Sequence, residues 1–183
     1  SSSAAKAQRN LLHRMLNFGS EARLGFEGFP ADAGLYYTIV AELGVHAKVG
    51  ANWGFHSPER NKGPRSESLV ALWAATTEML EQTSDAVSLA DIYALWRKAP
   101  FGLKNGVMPV IALSFLLANR SRVAVYVENT FTAELTDANV DEWLQDPKRI
   151  SWKWVRMDAS AKRLLGRLAD QLEAAMGRPV AAD

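Results

Sequence analysis

The chain has 183 residues, of which 48% are hydrophobic and 22% charged, with a formal net charge of +1. That length serves one large domain or two small ones without disulfides or metals, and the composition excludes a disordered chain. Near-neutral charge gives no global attraction to nucleic acid or anionic lipid, and the lack of cysteine excludes disulfides, thiolate nucleophiles and thiolate zinc sites, which fits a cytoplasmic, reducing compartment.

Charge is uneven along the chain. Residues 1–65 carry 8 Lys+Arg against 5 Asp+Glu, residues 66–147 carry 5 against 11, and residues 148–183 carry 8 against 4. An acidic middle therefore lies between two basic ends. The opening Ser-Ser-Ser-Ala-Ala lacks a methionine and a basic, apolar leader, and reads as an expression scar or a cut inside a longer polypeptide. The longest apolar stretch, 107–118, is broken by Pro109 and Ser114 and is too short to span a bilayer, so no membrane partner is expected.

Leu11, Leu12, Met15, Leu16 and Phe18 fall near helical spacing over 4–18, with Gly19 as a stop. Residues 20–29 have no clean period and predict a packed loop. Pro30 suits a first helical turn, and Leu35, Tyr36, Ile39, Val40 and Leu43 form one apolar face ending at Gly44. Gly50 and Gly54 bracket Trp53 in a short hairpin or irregular loop, and 56–66, rich in Pro, Gly, Asn and Ser, predicts a linker or exposed loop. An amphipathic helix follows over 67–82. Ser88 and Asp91 form a capping box for a helix that must end before Pro100, and 106–119 is an almost wholly apolar segment with Pro109 in its first turn, as expected of a buried helix.

The period then changes. Val123, Val125 and Val127 alternate, Glu128-Asn129 offers a tight turn, and Phe131, Ala133 and Leu135 alternate on a return strand. Thr136 caps a short helix through Val140, Trp143 and Leu144, Pro147 ends it, and Ile150, Trp152 and Trp154 alternate on a third strand. Asp158 or Ser160 caps a last amphipathic helix carrying Leu164, Leu165, Leu168 and Leu172, stopped by Gly177 and Pro179. The expected fold is mainly α with a small antiparallel hairpin or three-stranded sheet. The order helix, helix, turn, helix, hairpin is that of a winged helix.

The third helix of a DNA-reading winged helix needs side chains that donate to bases and phosphates, whereas 107–118 has only Ser114 as a polar residue in its middle. The wing tip, Val127-Glu-Asn-Thr130, is acidic, which repels a phosphate backbone. What remains for nucleic acid is a basic strand interleaved with aromatics: Lys148, Arg149, Lys153 and Arg156 around Trp152 and Trp154, extended by Lys162 and Arg163 on the last helix. The plainer alternative puts Trp152 and Trp154 in the core with Lys153 facing water.

No P-loop, Gly-x-Ser-x-Gly elbow, His-Glu-x-x-His or dinucleotide fingerprint occurs. His13, His46 and His56 have no ligand partner at metal-binding spacing, and Ser114 can satisfy its own hydroxyl on the preceding helical turn. Asp137, Asp141 and Glu142 fall in a helix N-terminal region where carboxylates favour the dipole. No catalytic residue, metal or cofactor is expected.

The segment Tyr93-Ala-Leu-Trp-Arg-Lys-Ala-Pro-Phe-Gly-Leu-Lys-Asn-Gly-Val-Met-Pro-Val110, with Phe115-Leu-Leu-Ala-Asn-Arg120, Val123-Ala-Val-Tyr-Val-Glu-Asn-Thr-Phe131 and Leu144-Gln-Asp-Pro147, resembles part of very large bacterial P-loop ATPases. Such ATPases belong to phage-defence and restriction islands, including BREX (bacteriophage exclusion) systems. Phe29-Pro-Ala-Asp-Ala-Gly-Leu-Tyr36 and Trp53-Gly-Phe55 resemble the preceding region there, so the likeness spans roughly residues 28–155. It implies an accessory helical and winged-helix region without Walker motifs, coupling an ATPase to partners or DNA, and it transfers no functional residue. The expected organisation is an N-terminal helical segment over 4–66, a winged-helix-like domain over 67–157 and a C-terminal helix over 158–178 packing on it. The expected function is a non-catalytic interaction module that contacts other domains or subunits of a defence complex and carries an exposed apolar patch. The alternative is nucleic-acid binding through the basic strand.

Overall fold

The computed structural model describes residues 2–58, 64–156 and 159–177. Its centre is the apolar segment, which forms helix α5 (Met108–Ala118) with every side chain from Met108 to Leu116 buried. A helix apolar on all sides is stable only when surrounded. Ser114 is the single hydroxyl inside it, and its Oγ donates to the Val110 carbonyl at 2.9 Å.

Helix α1 (Ser3–Asn17), capped by Ser2 whose Oγ accepts from the Ala5 N–H, buries Leu11, Leu12 and Met15 and packs on α5. After a 3-10 turn at Ala22–Gly25, helix α2 (Ala31–Leu35) continues as a π-helical stretch, Tyr36–Ala41, in which the Glu42 N–H reaches the Tyr37 carbonyl at 3.1 Å. The glycine-bracketed segment forms a hairpin of β1 (His46–Val49) and β2 (Asn52–Phe55), with Gly50 supplying the left-handed φ of +62° at its turn. Helix α3 (Pro64–Gln82) starts at Pro64, three residues before the expected Glu67, because proline suits a first helical turn. Of the expected 56–66 loop, residues 59–63 lie outside the described residues, while Ser66 is buried on α3.

Beyond α3 come β3 (Val87–Ser88) and α4 (Leu89–Arg97), capped by Ser88 Oγ, which accepts from the Asp91 N–H at 3.1 Å; the Asp91 carboxylate meets the Ser88 hydroxyl at 2.8 Å, so only the Ser88 half of the expected capping box forms. The strands β4 (Val123–Val127) and β5 (Thr130–Thr132) form the expected hairpin, but the return strand stops at Thr132, short of the expected Ala133 and Leu135, and Phe131 is exposed. Thr136 and Asn139 exchange side-chain and backbone bonds in a capping box on α6 (Asp137–Gln145). The third strand, β6 (Ile150–Trp154), enters between β3 and β4, giving the antiparallel order β3-β6-β4-β5. The element order of a winged helix is thus present, with a later strand inserted in the middle of its sheet. The two-residue strand β3, too short to show a period, was not visible in the sequence.

An aromatic stack joins helices to sheet: Trp73 and Phe115 have centroids 5.2 Å apart, Phe115 lies nearly parallel to Trp152 at 5.6 Å, and Trp152 meets Trp143 edge-on at 5.6 Å. Trp143 Nε1 donates to Tyr93 Oη and Trp96 Nε1 to Thr76 Oγ1, so both are satisfied in the interior. One hydrophobic core runs from Leu11 to Trp152 and takes in side chains from both sides of residue 66.

Helix α7 (Ala159–Met176) departs from expectation. Its apolar stripe was expected to pack on the preceding segment, but Leu164, Leu165, Leu168, Leu172 and Met176 are 59%, 49%, 46%, 64% and 85% exposed. Helical spacing gathers apolar side chains on one face, yet it does not say that a partner surface in the same chain will meet that face. Of its two candidate caps, Asp158 lies outside the described residues.

Candidate functional site

The basic strand separates into unlike pieces. Trp152 is fully buried in the aromatic stack, so it offers no ring to a base, while Lys153 on the opposite face of β6 is exposed beside Ala124 of β4. Arg149 forms an ion pair with Glu128 in the β4–β5 turn, and the Glu128 N–H donates to the Arg149 carbonyl at 2.8 Å. Arg156 donates to the Glu81 carbonyl at the end of α3. Lys148 is exposed in the 3-10 turn Pro147–Arg149, whereas Lys162 and Arg163 are exposed on α7. Seven residues of near-extended chain put Arg149 and Arg156 about 23 Å apart at opposite ends of the strand. The six expected nucleic-acid contacts are therefore split between the two ends of one strand, its solvent face and a separate helix, and Arg149 and Arg156 already hold the partners named.

A cluster of ionisable groups that sequence spacing could not reveal joins α1 to α6. Asp141 accepts from Arg9 Nε at 2.7 Å and Nη2 at 2.6 Å, and bonds His13 Nε2 at 2.9 Å. Asp137 lies 3.8 Å from His13 Nδ1 and accepts from Asn17 Nδ2 at 2.7 Å. Hydrogen bonds from Arg9, and more weakly from His13, hold the Asp141 carboxyl down at about 2. Both of its oxygens are occupied, and no hydroxyl nucleophile joins the group, so its chemistry is that of a clamp between two helices. These partners are 128 or more residues apart for Asp141, which hid them from any motif.

A second polar knot surrounds His46. Its Nε2 lies 2.9 Å from the Gly19 carbonyl, which can only accept, so Nε2 carries the proton and Nδ1 accepts from Tyr36 Oη at 2.9 Å. Trp53 stacks on the ring at 5.3 Å. Beside it the 3-10 turn holds Arg23 and Leu24 at φ of +55° and +52°, a conformation costing roughly 1–2 kcal/mol per residue. Arg14 fastens this turn, donating to the Leu24 carbonyl at 3.0 Å while its guanidinium lies 4.6 Å from the Phe26 ring centre.

The most apolar cleft has a volume of about 390 Å³ between Leu43, Leu69, Leu72, Phe101, Leu103 and Ile111. Its one cationic lining residue, Arg65, reaches Glu42 at 3.1 Å, so no set of ionisable groups converges on the cleft. Among the described residues no cluster of three or more His, Asp or Glu could hold a metal ion, and no helix is long and apolar enough to cross a membrane.

The face of α7 is the feature with the least internal explanation. Its five large apolar side chains are open to water, while Lys162, Arg163 and Arg167 occupy its first half and Asp170 and Glu173 its second. Exposed apolar residues in a contiguous row mark interaction surfaces. Compared with known proteins, the chain matches no family model, no curated protein and no solved structure.

Proposed function

We propose that this chain is a non-catalytic interaction module, with α7 as its docking element, in a large ATPase of a prokaryotic phage-defence or restriction system. One observation carries the interaction reading: five large apolar side chains of α7 stand exposed beside a core that draws no buried side chain from the described residues of that helix. An 18-residue helix with an open apolar face is marginal in water, and burial of that face on a partner supplies what the helix lacks. The parentage rests on the sequence likeness over residues 28–155. The ionisable groups that do meet, Arg9 with Asp141 and His13, bond one another.

The test is a Leu165→Glu/Leu168→Glu variant studied at about 1 µM, where self-association is suppressed by dilution. Its chemical unfolding free energy is expected within about 0.5 kcal/mol of the parent chain, as for any surface position. A loss of about 2 kcal/mol or more would mean that the stripe is buried against its own chain and would end the reading.

A further inference from the structure

We infer that α7 pairs with α7 of a second copy, antiparallel, with Leu168 on the two-fold axis; this names the partner of the surface proposed above and rests on that reading. At about 100° per residue, Ala161, Leu164, Leu165, Leu168, Leu172, Ala175 and Met176 share one arc of about 120°. An antiparallel pair centred on Leu168 sets Leu164 and Leu165 against Leu172 of the other copy and Ala161 against Ala175. Small residues thus meet at both ends and leucines in the middle.

Charge selects the orientation. The first half of α7 carries only basic residues, Lys162, Arg163 and Arg167, and the second half only acidic ones, Asp170 and Glu173, with no acidic residue in the first turn and no basic residue in the last. This order opposes the helix's own dipole, which prefers acids at the N-terminus and bases at the C-terminus. Antiparallel pairing reverses the balance, since each basic half and positive dipole end then lies along the acidic half and negative end of the other copy. Lys162 and Glu173 sit on the same flank of the apolar arc, and antiparallel pairs bring like flanks together. With Leu168 on the axis, Lys162 of one copy falls within one residue of the level of Glu173 of the other. Parallel pairing would instead bring unlike flanks together and set Lys162 beside Arg167 of the other copy, like charges that repel.

The whole chain is examined by sedimentation equilibrium at about 100 µM, with circular dichroism to verify folding of each variant. The expected mass is twice the 20.1 kDa of one chain, falling to that of one chain in Leu168→Glu. Lys162→Glu and Glu173→Lys are each expected to weaken pairing at least tenfold, and the double exchange to restore it. Because the chain has no cysteine, Ala161→Cys and Ala175→Cys variants mixed under mild oxidation report direction: a mixed disulfide is expected. An Ala161→Cys chain that links to itself, or a double exchange that fails to restore pairing, overturns the antiparallel arrangement. A single-chain mass for the parent protein overturns self-pairing. In that case maleimide labelling of Leu165→Cys separates the two claims: free-thiol reactivity leaves α7 a docking element for another partner, whereas protection in a monomer removes the interaction reading as well.

Discussion

His46 is 3% exposed and is kept neutral by its surroundings. Burial lowers its pKa below the ordinary 6.5, and burial also raises the Tyr36 hydroxyl to about 12, so that hydroxyl remains a donor to Nδ1 at any pH of interest. A histidine whose pKa is lower in the folded than in the unfolded chain favours folding above 6.5, and its contribution is lost as pH falls from there towards the folded value. Unfolding free energy measured between pH 7.5 and about 5 is therefore expected to decline on the acid side, and a His46→Gln variant to show a shallower decline. The sequence marked His46 only as a histidine without ligand spacing. Its partners, Gly19 and Tyr36, come from two other segments, so its role depended on where the hairpin docks.

Between elements, the α1–α6 clamp shows how one carboxylate acquires a meaning that its helix alone does not give it. On α6, Asp141 looked like a dipole-matching residue; in the fold it receives two bonds from Arg9 and one from His13. Its pKa falls from 3.8 to about 2, so its contribution to stability is present above pH 3.8 and lost as pH falls towards 2. Asp141→Asn is expected to cost about 1 kcal/mol at neutral pH, the upper range for exposed ion pairs, and to flatten acid unfolding, both read from denaturant curves at pH 7 and pH 3. The caps of α4 and α6 and the β4–β5 turn were legible because each is made by residues within four positions. The insertion of β6 between β3 and β4 was not, because strand neighbours are chosen by packing, and the partners Val87 and Trp152 of β3 and β6 lie far apart in the chain.

For the whole molecule, the question is whether its scattered cations add up to a nucleic-acid surface. With a net charge of +1, Trp152 lies in the core, and of the four exposed cations of the strand region Arg149 is paired with Glu128 and Arg156 bonds the end of α3, which leaves Lys148 and Lys153 for a phosphate. Neutralising few phosphates gives weak binding that salt removes. Titration into labelled duplex and single-stranded DNA is expected to show no binding at moderate salt and no difference for a Lys148→Ala/Arg149→Ala/Lys153→Ala variant. Micromolar affinity that falls steeply with salt and disappears in that variant would favour the nucleic-acid alternative over the docking one.

The sequence by itself determined the mainly helical class, the apolar centre at 107–118, a hairpin turning at Glu128-Asn129 and the amphipathic last helix, since these follow from periodicity and from caps and turns made by near neighbours. Tertiary structure alone decided that α1 is tied to α6, that Trp152 belongs to the core instead of to a ligand, that β6 pairs between β3 and β4, and that the stripe of α7 finds no cover among the described residues. The physical reason is common to all four. Local patterns fix which face of an element is apolar or charged, but the surface that meets that face is contributed by residues far away in the chain, and only the packed arrangement shows whether one is there.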